Sequence, residues 1–201
     1  HFGGEVAPAA HREYGYARVR ARGHSVLLVE RSFRIKPCGG AIPPRLIEEF
    51  EIPQHLLVAR IRSARMISPA GKRVDMPIAD SYVAMVDRET FDPWLRERAV
   101  AAGADLVTGA FVSLDYLSDD RVQVTYRDKS RGGQECTAVA RTVIGADGAR
   151  SRVARQCVPG ADALKCVFAY HEIVRSPEQP GSADFDPTRC DVWYQGRLSP
   201  D

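Results

Sequence analysis

The run His24-Ser25-Val26-Leu27-Leu28-Val29 shows no polar alternation and ends on an acid, Glu30. Continuous apolar runs of this length predict a strand buried on both faces, as in a parallel sheet. Upstream, Ala10, Tyr14, Ala17 and Ala21 share one helical face, which predicts a helix over 10–22 closed by Gly23. Residues 1–8, HFGGEVAP, contain no apolar run. RSFRIKPCGGAIPPRL reads as loop from its Pro and Gly content, and Leu46 to Phe50 as a short helix.

From residue 62 to 86 the pattern changes to two extended pieces around a Pro-Ala-Gly turn, followed by SYVAMV. This is hairpin material. Asp87 caps a predicted helix from Arg88 to Ala102 with Phe91, Leu95, Ala99 and Ala102 as its apolar face. Pro93 falls in its first turns and Gly103 suits the position just past its end. ADLVTG, AFVSLDYL, RVQVTYRD and ECTAVARTVIGADG then read as a meander, with turns at Asp119-Asp120 and Arg131-Gly132-Gly133. Val122, Val124 and Tyr126 alternate with polar residues, so that strand is half exposed. Thr142-Val143-Ile144 predicts a short strand running into GADGARSR, and CDVWYQGRL near the C-terminus is extended again.

Composition narrows this picture only a little. The chain has 201 residues, 44% hydrophobic and 27% charged, with a net charge of +2. Those values are ordinary for a globular domain and give no field that would call for a nucleic-acid partner. No run reaches the 18 or so apolar residues of a membrane span, and the N-terminus lacks a signal-peptide core, so a cytoplasmic location is expected. Five scattered cysteines without a CxxC pair predict free thiols rather than disulfides or zinc ligands, and His24, His55 and His171 have no metal-ligand spacing.

Four stretches carry chemistry. An acid at the position of Glu30, closing a buried strand, accepts hydrogen bonds from ribose hydroxyls in dinucleotide-binding units; the alternative is a solvated glutamate. In GADGARSR, residues 145–152, Gly148 permits close backbone approach to a phosphate. Asp147 there either takes a ribose hydroxyl or fixes the turn. Arg88, at a helix start, has the fork geometry for a pyrophosphate, or else is a solvated first-turn arginine. The stiff loop Lys36-Pro37-Cys38-Gly39-Gly40-Ala41-Ile42-Pro43 admits a planar ligand, or is a surface loop with a buried thiol.

GHSVLLVER, KPCGGAIPPRLIEEF, RMISPAGKRVDMPI, MVDRETFDPWLRERA, VIGADGARSRVAR and CDVWYQGRLSPD together resemble the geranylgeranyl reductases of the chlorophyll and bacteriochlorophyll pathway, the latter branch more closely. The resemblance runs from about residue 22 to the end. It implies an α/β fold in which an FAD/NAD(P)-binding Rossmann-like domain is interleaved with a β-sheet substrate domain, incomplete in this chain. The implied layout is a partial FAD-binding βαβ unit and active-site loop over 1–61 and a substrate-domain hairpin over 62–86. The FAD-binding domain continues over 87–160, and a second piece of the substrate domain begins at 161–201.

The implied function is FAD-dependent, NADPH-consuming reduction of a geranylgeranyl chain to phytyl. The substrate would be geranylgeranyl diphosphate or a geranylgeranylated pigment, and peripheral contact with a photosynthetic membrane is expected. By position, Glu30 and Arg31 would hold the adenosine and Arg88 would contact FAD. Asp147 and Gly148 would form the turn shared between FAD and nicotinamide, and Cys38, Gly39 and Gly40 would line the flavin and prenyl site. Two departures stand out. Ala7, Ala9 and Arg12 occupy the positions of the phosphate-loop glycines, and the chain stops at LSPD, short of the family's aromatic substrate motif and second FAD-binding segment. These predict an inactive fragment whose first twenty residues arise from a shifted frame or a misplaced start. A flavin-dependent monooxygenase of the same fold and a non-enzymatic remnant are the alternatives.

Overall fold

The computed structural model describes residues 23–35, 38–166, 170–177 and 185–194; the helix expected over 10–22 lies outside them. In chain order the elements are β1 (Leu27–Glu30), β2 (Ala41–Ile42), α1 (Pro44–Glu49), β3 (Leu57–Ile61), β4 (Ser63–Ile67), β5 (Arg73–Pro77) and β6 (Val83–Val86). There follow α2 (Arg88–Ala101), β7 (Asp105–Tyr116), β8 (Val122–Asp128), β9 (Gln134–Ala140), α3 (Arg152–Cys157) and β10 (Arg189–Trp193). They fall into two compact units, with boundaries after residues 35, 91 and 168, the second of these inside α2.

The first unit is built on a four-stranded sheet in the order β1-β7-β8-β9. The segments ADLVTG and AFVSLDYL form one strand of 12 residues, β7, which changes partner along its length. Its first residues pair parallel with β1, from Leu27↔Asp105 to Glu30↔Thr108. Its remainder pairs antiparallel with β8, from Gly109↔Asp128 to Tyr116↔Val122, with a bulge between Phe111 and Ser113. Gly109 sits at the changeover, where a Cβ would stand 2.8 Å from the Arg127 carbonyl oxygen. Leu28, Leu95, Ala99 and Ala104 are buried in this unit's core. The end of α2 is closed by Gly103 N–H to the Val100 carbonyl (2.7 Å) and Ala104 N–H to the Ala99 carbonyl (3.0 Å). With Gly103 at φ +92°, this is the paired cap a glycine allows.

The strand expected at Thr142-Val143-Ile144 does not form; the segment is irregular and Ile144 is 62% exposed. A strand exists only by pairing, and β1 is the terminal strand of its sheet, bonded among the described residues to β7 alone. The apolar content of TVIG was a fair sign of strand propensity, but no ladder is offered to it among those residues.

The second unit contains two three-stranded sheets, β2-β6-β3 and β10-β4-β5. The predicted Pro-Ala-Gly turn joins β4 to β5, with Gly71 at φ +76°. Arg65 pairs across the sheet with Asp75 on β5 and stands in register with Asp191 on β10. Its guanidinium meets Asp75 at 2.6 and 2.9 Å, and Arg189 meets Asp191 at 2.6 Å. The hydrogen bond from Arg65 holds the Asp75 carboxyl below its ordinary range, and that from Arg189 does the same for Asp191. Ile42, Leu46, Ile47, Ile52, Leu56, Ile67, Ala84, Val86 and Phe91 are the buried apolar side chains here.

Candidate functional site

Within the first unit, Glu30 closes β1 and is 6% exposed, so the solvated-glutamate reading does not hold. A carboxylate buried at the C-terminal end of a parallel strand lies where ligands of open α/β sheets bind. Arg31 is exposed, and its carbonyl accepts from the Lys129 ammonium at 2.6 Å.

Asp147 answers its two alternatives in favour of the turn. Its carboxylate accepts from the Ser151 hydroxyl, from the Arg152 N–H at 2.6 Å and from the Val153 N–H at 3.4 Å. Ser151 in turn caps α3 by accepting from the Ala154 N–H at 2.9 Å. Three of the roughly four lone-pair sites of the carboxylate are therefore occupied by the helix start. Gly148 is at φ +91°, and a Cβ there would meet nothing within 4 Å. Its backbone is open to close approach. Gly145 is a packing requirement instead, since a Cβ would stand 2.7 Å from Val153.

The turn is tied to β7 by two side chains that sequence reasoning did not single out. Gln156 donates to the Val112 carbonyl at 3.2 Å and accepts from the Leu114 N–H at 3.0 Å, bridging the β7 bulge. Arg152 donates to the Phe111 carbonyl at 3.3 Å. Nothing in the sequence marks Gln156 for this, because the bulge that creates its partners is itself invisible there. Through β7 the Asp147–Gly148 turn is held on the same sheet that carries Glu30.

Within the second unit, the Cys38–Gly40 loop abuts the end of β6. The Gly40 carbonyl accepts from the Val86 N–H at 2.9 Å, continuing the pairing Ala41↔Met85. Gly40 is at φ +75°, and a Cβ would lie 2.0 Å from the Val86 oxygen. Gly39 has open space around it. Cys38 is exposed rather than buried, with its Sγ 3.5 Å from the Gly40 nitrogen. Two residues beyond Val86, Arg88 opens α2 and is 7% exposed, which excludes the solvated-arginine reading. Asp87 caps the helix by accepting from the Glu89 N–H at 2.9 Å. The loop and the buried arginine are thus brought to one end of β6.

A parallel pair ending in a buried acid, an antiparallel meander grown from it and a glycine turn held against it define a flavoprotein nucleotide domain. The chain belongs to the FAD-binding domain family, which residues 20–164 match. Its relatives place it further. It is 57% identical over 179 residues to a geranylgeranyl diphosphate reductase of Rhodobacter capsulatus, covering 89% of this chain and 44% of that one. A geranylgeranyl diphosphate reductase of Synechocystis is 37% identical over 165 residues, covering 78% of this chain and 40% of that one. The chain is a homologue of these reductases and spans less than half their length.

A geranylgeranyl bacteriochlorophyll reductase-like protein of Thermoplasma acidophilum superposes with a TM-score of 0.72 at 19% identity, covering 93% of this chain and 48% of the other. A myxobacterial FAD-dependent halogenase superposes at 0.62 and 21% identity, covering 73% and 37%. These likenesses show the fold. The buried Glu30 carboxylate and the open backbone at Gly148 fit a dinucleotide; the Asp147 carboxylate is taken by the helix cap and contributes through the turn it holds.

Proposed function

We propose that these residues belong to an FAD-dependent reductase that uses NADPH to reduce the geranylgeranyl chain toward phytyl, with the chain free as the diphosphate or esterified to a (bacterio)chlorophyll. The observation that carries this reading is the 57% identity over 179 residues to the Rhodobacter capsulatus protein. In it, Glu30 receives the adenosine ribose hydroxyls, each charge-assisted bond contributing roughly 1.5–3 kcal/mol. Arg31 lies beside it on the adenosine side. Gly148 lets the backbone N–H groups after β9 approach a phosphate, and Asp147 keeps that turn in shape. Arg88 offers its fork to the pyrophosphate, while Cys38, Gly39 and Gly40 line the flavin and prenyl site, Gly39 supplying the open space. The bound flavin supplies hydride transfer from the nicotinamide; the chain's part is to hold it, orient it and exclude water. A lipidic substrate favours an enzyme that works peripherally at the photosynthetic membrane from the cytoplasmic side.

The test is a chimera in which residues 20–164 replace the matching stretch of the Rhodobacter capsulatus reductase. Under anaerobic conditions the chimera is expected to oxidise NADPH only when geranylgeranyl diphosphate is present and to yield the chain reduced toward phytyl. NADPH consumption that needs O₂ and gives a hydroxylated product would instead support a monooxygenase.

A further inference from the structure

Among the described residues, Arg96 stands out in the first unit. It lies on α2, is 8% exposed, and is stacked over the Phe33 ring at 4.8 Å. Its side chain makes no hydrogen bond or ion pair among those residues. A buried guanidinium without an anion is costly, and a cation–π contact offsets only part of that cost. Arg96 lines an open cavity of about 500 Å³ together with Phe33, Pro93, Glu97, Val100, Ala101 and Leu106. That volume lies within the roughly 300–1,000 Å³ usual for small-molecule sites. Phe33 and Val100 are 51% and 45% exposed, so the apolar wall reaches the surface.

We infer that this cavity is a binding site for an amphiphile with a phosphate-ester head, the head on Arg96 and the apolar body against Phe33, Val100 and Leu106. The five donors of the guanidinium form a fork that matches phosphate oxygens. Neither an inorganic anion nor a neutral detergent satisfies both halves of the site. The inference concerns binding alone and is independent of turnover, so its failure and a failure of the reductase reading are separately visible.

The experiment is a calorimetric titration of the intact chain with dodecyl phosphate below its micelle concentration. One molecule is expected to bind per chain, and Arg96→Met to weaken binding about tenfold or more, as loss of charged hydrogen bonds implies. Val100→Glu, a substitution at an exposed rim position, is expected to weaken it as well while leaving the thermal midpoint unchanged. Inorganic phosphate should bind about tenfold more weakly than dodecyl phosphate, for want of the apolar contact. Co-sedimentation with phosphatidylglycerol-containing vesicles, against pure phosphatidylcholine, separates the sources of the head group. Arg96-dependent capture by the anionic vesicles alone assigns it to a bilayer lipid, and Arg96-dependent binding of the monomeric amphiphile assigns it to a free ester. The inference is overturned if Arg96→Met folds normally and binds dodecyl phosphate and vesicles as the parent does, if neither probe binds, or if inorganic phosphate matches dodecyl phosphate.

Discussion

A methyl group added at Gly40 would stand 2.0 Å from the Val86 carbonyl oxygen, whereas one added at Gly39 would meet nothing within 4 Å. The two neighbours were one feature in the sequence, a pair permitting close approach of a ligand. At the residue scale they divide: Gly40 is required by the β2–β6 pairing and its positive φ, and only Gly39 faces open space. Gly40→Ala should therefore cost about 2–4 kcal/mol, combining overpacking with a left-handed backbone, while Gly39→Ala should stay within about 0.5 kcal/mol. Urea unfolding of the two variants measures this, and equal effects would contradict the division. The burial of Glu30 and Arg88 could not be read from their positions, because charged residues at strand and helix ends are usually solvated.

At the scale of elements, the parts that carried their own local signal were legible. The α2 face formed by Phe91, Leu95 and Ala99 is buried as its periodicity requires, and Gly103 closes the helix. The alternation of Val122, Val124 and Tyr126 became β8. What was not legible depends on partners distant in sequence. Thr142–Ile144 has strand composition without a neighbour, and the β7 bulge that Gln156 bridges leaves no mark in composition. The turn at Asp147 lies between these cases: its shape was expected, but its carboxylate serves as a cap. Asp147→Ala should accordingly destabilise by about 1 kcal/mol, the usual net loss of a hydrogen-bond acceptor for the Ser151 hydroxyl and the Arg152 N–H, with Asp147→Asn costing less because it keeps an acceptor. Chemical denaturation of both variants is the check.

The β5-β4-β10 ladder makes a pH prediction at the same scale. The carboxyls of Asp75, Asp186 and Asp191 are held below their ordinary values by hydrogen bonds from Arg65, Thr188 and Arg189 respectively. A depressed folded value means that the stabilisation is complete above the unfolded value of roughly 3.9 and is lost as pH falls through the lower folded values. The Asp75 side chain is 56% exposed, so the effect should be modest and shrink in high salt. Urea midpoints measured from neutral pH down to about pH 3 should fall, and the fall should be shallower in Asp75→Asn. An unchanged slope in that variant would remove the ladder from the account.

For the molecule as a whole, residues 20–164 match the FAD-binding domain family, while counting back from Glu30 by the usual spacing assigns the expected phosphate-loop glycines to Ala7, Ala9 and Arg12, outside that match. The 201-residue chain by itself is therefore expected to purify colourless. The chimera described above supplies a glycine-bearing phosphate loop while keeping Glu30 in its place on β1. Its FAD content tests the central claim, that the buried Glu30 carboxylate is the adenosine anchor of a flavin site. The chimera should retain stoichiometric FAD, and Glu30→Ala, still folded by circular dichroism, should lose affinity about a hundredfold or more. A colourless chimera, or a Glu30→Ala form that holds FAD as tightly as its parent, would contradict the account.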